Sequence, residues 1–203
     1  MHLKKIKLHN IRSYPDTELE LPLGTTLLSG DIGSGKSTIL LAIDFALFGI
    51  SKDLTGAALL RNGTTNGSVD LHFTIDNTSV TITRRLKRGT SVTQDYGSIT
   101  IDGTRKERTA TELKQDILDL LAYPPDLLTR STSLLYRYTV YTPQEEMKYI
   151  LLANREQRLE TIRKIFGIDK YKRATTNTET YAHNLKTTIK ELFDVPTINI
   201  LNE

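Results

Sequence analysis

Gly30-Asp31-Ile32-Gly33-Ser34-Gly35-Lys36-Ser37 decides how this chain is read, because it matches the P-loop pattern in full. It also stands where that pattern has physical meaning. Upstream, Gly24-Thr25-Thr26-Leu27-Leu28-Ser29 reads as a short buried strand entering the loop; downstream, Ser37 to Phe48 is apolar on nearly every face and reads as a buried helix stopped near Gly49. Lacking Cβ atoms, Gly33 and Gly35 let consecutive backbone N–H groups curl around a phosphate. The helix aims its positive end at the same anion. Lys36 is placed to reach the β- and γ-phosphates of a nucleotide, and the Ser37 hydroxyl to ligate Mg²⁺. Ser34 and Thr38 complete the loop's polar lining.

Outward from the loop, the period is two. Leu3, Ile6 and Leu8, then Leu19, Leu21 and Leu23, predict two strands flanking a turn at Ser13-Tyr14-Pro15-Asp16. After a loop at Asn62-Gly63, the segments Val69–Ile75, Val80–Arg84 and Gly97–Ile101 alternate and are separated by Asp76-Asn77 and Asp102-Gly103, which predicts an antiparallel meander. From Thr109 the period becomes helical, with Leu113, Ile117, Leu120 and Leu121 on one face, until Tyr123-Pro124-Pro125 ends the helix. A strand is expected at Ser133–Tyr141, a loop at Thr142-Pro143-Gln144, and helices near Glu145–Leu152, Arg155–Phe166 and Lys170–Phe193. In the last of these Tyr181, Leu185, Thr188 and Leu192 fall at heptad-like spacing. The fold class expected is α/β, a P-loop lobe with a mixed sheet around the loop's helix, an antiparallel meander, and C-terminal helices that begin a coiled coil.

Composition narrows the function. The 203 residues, 38% hydrophobic and 25% charged, suit one domain or one domain with an appendage, and the N-terminus leads into alternation rather than a secretory apolar stretch. No apolar run approaches the roughly 20 residues that span a bilayer, so no membrane partner is expected. With no cysteine, disulfides, thiol nucleophiles and thiolate metal sites are excluded, and His2, His9, His72 and His183 show no ligand spacing. The net charge of +3 argues for no partner by itself. Its distribution matters more: Arg84, Arg85, Lys87 and Arg88, with Arg105, Lys106 and Arg108, concentrate positive charge mid-chain as candidate DNA phosphate contacts, although for either cluster alone a solvated hairpin tip is the plainer and favoured reading.

Hydrolysis needs more than a P-loop: an acidic residue at a second strand end for Mg²⁺ and a group to position water. The two strand-end aspartates, Asp76 and Asp102, run straight into Asn77 and Gly103, so turn chemistry accounts for them. No Ser-Gly-Gly stretch occurs that could cap a nucleotide from a second lobe. The hydrolytic set is incomplete.

Several separated blocks carry a resemblance. Ile11-Arg12-Ser13, Gly30 to Thr38, Phe45-Ala46-Leu47-Phe48-Gly49, Tyr141-Thr142-Pro143-Gln144-Glu145-Glu146-Met147, and Arg158 to Lys172 with Phe166-Gly167-Ile168-Asp169-Lys170-Tyr171 stand in the order found in the N-terminal half of SbcC-type ATPases. These are Rad-fifty-like members of the SMC superfamily, within the ABC-type ATPases, and the resemblance covers about residues 1 to 190. It implies a split head: an N-terminal lobe at 1–169, the start of a coiled coil at 170–193, and a tail or linker at 194–203 toward a C-terminal lobe that carries the missing residues. It implies ATP and Mg²⁺ as cofactors, with Lys36 and Gln144 as the catalytic residues of this half and Gln144, as Q-loop glutamine, joining Ser37 on the metal. Arg12, Ser13, Asn62, Gly63 and Thr64 match segments that approach the nucleotide. Ile32 departs from the family, which has Asn or a small residue there, so it offers backbone contact only.

The resemblance further implies ATPase activity only when the C-terminal lobe is present, head homodimers on ATP binding, DNA as partner, an SbcD-like nuclease around Tyr171 to Phe193, double-strand break repair, and a cytoplasmic, nucleoid-associated location. An ATP-binding architectural protein without the nuclease, and a self-sufficient P-loop NTPase or kinase, are the alternatives. The missing second-strand acid argues against the last.

Overall fold

The computed structural model describes residues 1–51, 54–122, 152–165 and 168–193. The chain divides into two compact units, Met1–Tyr141 and Thr142–Glu203. The first holds a seven-stranded sheet made of β1 (His2–Ile11), β2 (Tyr14–Glu20), β3 (Asn66–Ile75), β4 (Thr78–Arg88), β5 (Val92–Gln94), β6 (Gly97–Ile101) and β7 (Thr104–Arg108). Its order is β2-β1-β3-β4-β6-β7, with β5 pairing β4 beside β6. Three helices accompany it: α1 (Lys36–Phe48), α2 (Gly56–Leu59) and α3 (Ala110–Leu120).

The alternation that predicts the strands also sorts their faces. Ile6 and Leu8 of β1, Val69, Leu71 and Phe73 of β3, Val80, Ile82 and Leu86 of β4 and Ile99 of β6 point into one core, closed by Ile39, Ala42, Ile43 and Phe45 to Phe48 of α1 and Leu113, Ile117 and Leu118 of α3. The opposite face is polar, with Lys5 and Lys7 of β1 ion-paired to Glu18 across the β1–β2 ladder. Asp76 and Asn77, at φ 48° and 65°, make the β3–β4 turn, and Asp102 and Gly103, at 46° and 84°, the β6–β7 turn. Both aspartates are therefore turn residues, and Asp102 Oδ1 also accepts from the Ser79 amide at 2.9 Å. A capping box starts α3: the Thr109 hydroxyl accepts from the Glu112 amide, and Glu112 returns a bond to the Thr109 amide.

The α/β class holds, and all pairings among the described residues are antiparallel. Two expectations are corrected. The segment Gly24–Ser29, read as a buried strand, pairs with nothing described; Leu27 is 87% exposed and Leu28 packs, partly buried, against the core. The second concerns Arg84, read as a DNA contact. It is fully buried, because it continues the core-facing parity of Val80, Ile82 and Leu86. Its Nε donates to the Ala46 carbonyl at 2.7 Å and its Nη2 to the Leu47 carbonyl at 3.1 Å. It thereby closes the C-terminal end of α1, whose last turn holds no basic residue of its own. Burial pushes the guanidinium down to about 9, which leaves it charged at neutral pH.

In the second unit, α4 (Arg155–Ile165) starts at Asn154, whose Oδ1 accepts from the Gln157 amide at 2.8 Å. The long α5 (Asp169–Phe193) exposes Tyr171, Tyr181, Leu185, Ile189 and Leu192, and six threonines along it bond back to the carbonyl four residues earlier. The strand expected at 133–141, Gln144 and nearly all of the helix expected at 145–152 lie outside the described residues.

Replacing Arg84 with Ala is expected to cost about 2–4 kcal/mol in urea unfolding, since it strips two buried carbonyls of their donor and leaves a cavity. Arg85→Ala, on the exposed side of the same strand, should stay within about 0.5 kcal/mol. A second prediction concerns acid. Hydrogen bonds from Lys5 and then Lys7 hold the Glu18 carboxyl down to about 2. A depressed folded-state value means that this pairing is fully present above the ordinary carboxylate range and is lost as pH falls toward 2. NMR titration of Glu18 should show it, and Lys5→Ala should move the midpoint back up.

Candidate nucleotide site

The loop before α1 is shaped by its glycines. Gly30, Gly33 and Gly35 sit at φ 151°, 87° and 95°, conformations that L side chains rarely adopt. Gly35 is the N-cap of α1 in the left-handed region and no side chain caps the helix there, nor does an acidic residue stand in its first turn. The amide groups of that turn and the positive end of the helix thus face no competing anion from the helix itself. A side chain at Gly35 would meet a strained φ and would also have to move its neighbours: a Cβ there would stand 2.6 Å from Ser13 Oγ and 2.9 Å from the Tyr14 hydroxyl. The turn that follows β1 and the P-loop are therefore built against each other.

Lys36 curls back over the loop. Its ammonium donates to the Gly30 and Asp31 carbonyls, each at 2.7 Å, and to Ser34 Oγ at 3.2 Å. All three acceptors are neutral, and phosphate oxygens, being charged, accept more strongly. Arg12, Ser13, Gly33, Gly35, Lys36, Ser37 and Thr38 line one cavity of about 340 Å³. Seven residues singled out from sequence thus share one wall. A neighbouring cavity of about 450 Å³ is lined by Arg12 together with Ala58, Arg61 and Asn62. Gly63, at φ 81°, and Thr64 complete the turn that begins at Arg61, where the Thr64 hydroxyl donates to the Arg61 carbonyl at 2.8 Å. The Ile32 side chain is fully exposed. Gln144 lies outside the described residues.

These residues suit a nucleotide with Mg²⁺. The uncapped helix start, the glycine conformations and an ammonium held only by neutral acceptors fit phosphates. A Mg²⁺ ion usually takes one or two protein ligands and fills the rest with phosphate oxygens and water, and the Ser37 hydroxyl on the cavity wall would offer it one.

The basic candidates separate into three settings. Arg85, Lys87 and Arg88 line a third cavity of about 470 Å³ with His9, Ser68 and Asp95. On β7, Arg105 and Lys106 are exposed, Arg105 lying 3.5 Å from Glu107. Arg108 donates to Asp116 at 2.7 Å, so α3 already neutralises it. Three residues escaped the sequence reading: Tyr14, which packs on Gly35; Arg61, which donates to the Arg12 carbonyl at 2.9 Å; and Arg88 in its role toward the Thr64 carbonyl, at 2.9 Å. No local spacing announces such contacts, because each joins a side chain to a distant backbone.

Loop, helix and sheet together define a P-loop lobe of the α/β class. The chain belongs to the AAA domain family, whose model matches residues 5–196. It is similar to the DNA double-strand break repair Rad50 ATPase of Methanococcus maripaludis, 28% identical over 176 residues, covering 86% of this chain and 16% of that protein. The namesake from Methanocaldococcus jannaschii is 25% identical, with 85% and 16% covered. The chain therefore spans about one sixth of the length of these relatives. Their match agrees with the SbcC-type resemblance drawn from the separated blocks. Among solved structures, RecF-ATP, a recombination mediator protein of the RecFOR pathway, aligns at TM-score 0.47 and 19% identity over 74% of this chain and 41% of the other. The SMC head domain from Thermotoga maritima aligns at 0.41 and 23% over 57% and 42%. Among the described residues no helix is long and apolar enough to cross a membrane.

Gly35→Ala should abolish binding of Mg-ATP, since the added methyl must displace Ser13 or Tyr14 from the cavity wall. Gly63→Ala, with open space around its Cβ position, should leave binding within about threefold despite its strained φ. Isothermal titration of the two variants against the parent checks this.

Proposed function

We propose that this chain is the N-terminal, nucleotide-binding lobe of a split SMC-type ATPase head, acting in DNA double-strand break repair. One observation carries the split. Directly before the P-loop, Gly24–Ser29 has the composition of a core strand, yet it pairs with no described strand, and Leu23 and Leu27 are 82% and 87% exposed. Only Leu28 of the run packs, partly buried, on the core; a stretch of strand composition left so largely open supports a central sheet that another lobe completes.

In this reading Arg12, Ser13 and Lys36, with the loop backbone from Ile32 to Thr38, hold the phosphates, while Asn62 to Thr64 border the nucleotide. Ser37 and Gln144 hold Mg²⁺, which when bound neutralises phosphate charge. Lys36 leaves the Gly30 and Asp31 carbonyls for charged oxygens, and Gln144 reports nucleotide state to the rest of the lobe. The acid and the water-positioning group come from the C-terminal lobe, so turnover awaits its arrival, and ATP drives two heads together. The lobe at 1–169 leads into the coiled coil at 170–193, and an SbcD-like nuclease docks along Tyr171 to Phe193. DNA phosphates meet Arg85, Lys87 and Arg88 along their cavity, with Arg105 and Lys106 contributing from β7. Such binding is salt dependent and indifferent to sequence.

The deciding experiment measures Mg-ATP binding and turnover by this chain with and without a C-terminal lobe, using Lys36→Ala as control. Binding that depends on Lys36, with turnover only after the lobe is added, is expected. Brisk hydrolysis by the chain alone would overturn the split and return Asp76 and Asp102 to consideration.

A further inference from the structure

Arg12, on the wall of the P-loop cavity, does not hold its own position. It sits at φ 46°, a conformation costly for a residue with a side chain, and is kept there from outside. Its amide donates to the Leu59 carbonyl at 2.9 Å, its Nε to the Ala58 carbonyl at 2.7 Å, and its own carbonyl accepts from Arg61 Nη1 at 2.9 Å. Arg61 in turn begins the tight turn that ends at Thr64, whose closing amide bond to the Arg61 carbonyl is long at 3.3 Å. That turn is clamped by Arg88. Its Nε donates to the Thr64 carbonyl at 2.9 Å, its Nη2 lies 3.4 Å from the Arg61 carbonyl, and its amide donates to the Thr65 carbonyl at 2.7 Å.

Three guanidinium groups thus step from the end of β4 to the nucleotide cavity, each resting on backbone carbonyls. We propose that Arg88, which lines no part of that cavity, is a positioning residue for it: by pinning the Arg61–Thr64 turn it holds Arg61 on the Arg12 carbonyl and fixes Arg12 in its left-handed conformation. The inference rests on reading the P-loop cavity as the nucleotide site. Its physical basis is serial. Every link joins a charged donor to a neutral carbonyl, so loss of the first link loosens the next without emptying the core, because Arg88 is exposed. Arg85 and Lys87, on the same strand, make none of these side-chain bonds and serve as neighbours of like charge.

The test is a double-mutant cycle on the full chain, reading the Kd for Mg-ATP in the absence of nucleic acid. Arg88→Ala should raise Kd by about threefold or more, Arg61→Ala by at least as much, and the double variant no further than Arg61→Ala alone. Arg85→Ala and Lys87→Ala should stay within about twofold, which excludes a general charge effect. Additive effects of Arg88→Ala and Arg61→Ala, or an unchanged Kd in Arg88→Ala, would overturn the proposal. A second readout needs no nucleotide: amide exchange at Arg12 and Arg61 should speed up in Arg88→Ala while Leu71, in the centre of the sheet, keeps its protection. Unchanged exchange at Arg12 also overturns it. If exchange responds but no variant nor the parent binds Mg-ATP in a Lys36-dependent way, the nucleotide reading fails and the clamp itself stands.

Discussion

A helix inside a domain carries opposite partial charges at its two ends, and α1 cannot be placed until both are met. The C-terminal end is met by Arg84, buried, its guanidinium spread over the Ala46 and Leu47 carbonyls. Burying a cation is expensive, and here the negative end of the helix helps to offset it. Even the residue after the helix is fitted to that group. A Cβ at Gly49, which sits at φ 78°, would lie 3.3 Å from Arg84 Nη1 and 2.7 Å from Gln94 Oε1. Because Arg84 is fixed in the β4 ladder, the register of β4 against β3 sets where the helix ends, and thus where its other end presents the P-loop.

At the other end no acidic residue stands in the first turn of the helix. What it has instead is a wall: the turn after β1 pressed against Gly35, with Ser13 and Tyr14 occupying the space a side chain would need. The β1–β2 hairpin is consequently part of the site as well as part of the sheet. The same economy recurs at Asn10 and Arg12, both at positive φ, where β1 ends in a short antiparallel bridge between Ile11 and Leu60 that carries α2 and the Arg61 turn alongside. Strand, turn and loop converge because each satisfies a neighbour's backbone.

The P-loop and the helix behind it were legible from residue order alone, since glycine spacing and an apolar helix have only one common use in that arrangement. The meander was legible too, because period two and the Asp-Asn and Asp-Gly turns agree. Arg84 differs for a definable reason: it stands in the charged run Arg84-Arg85-Leu86-Lys87-Arg88, yet its parity with Val80, Ile82 and Leu86 places it in the core. β7 was missed because Thr104 to Arg108 is almost all charge, as befits an edge strand that must not recruit another. Arg12 and Ser13 enter the site only through the resemblance, while Arg61 and the structural contacts of Arg88 and Tyr14 have no signal in the sequence. Their contacts cross 20 to 50 positions of sequence to reach a carbonyl or a glycine, and periodicity carries no information about such pairs.

Two stretches keep apolar side chains in the open, and each is short of something the described residues do not supply. Gly24–Ser29 has strand composition without a strand to pair with. Within the second unit, α5 is rich in Thr and Asn, poor helix formers, and an isolated helix of such composition is marginal in water. Its exposed Tyr181, Leu185 and Leu192 make one stripe, the kind of face that stabilises a long helix only when a second helix covers it. In the split-head reading the two deficits have one cause: both are surfaces on which the rest of the head and its coiled coil would be laid. The first bears directly on chemistry, because the uncovered run enters the P-loop. Covering it would fix the loop's entry as firmly as Arg84 fixes the exit of its helix, so completion of the sheet and grip on the phosphates become one equilibrium rather than two.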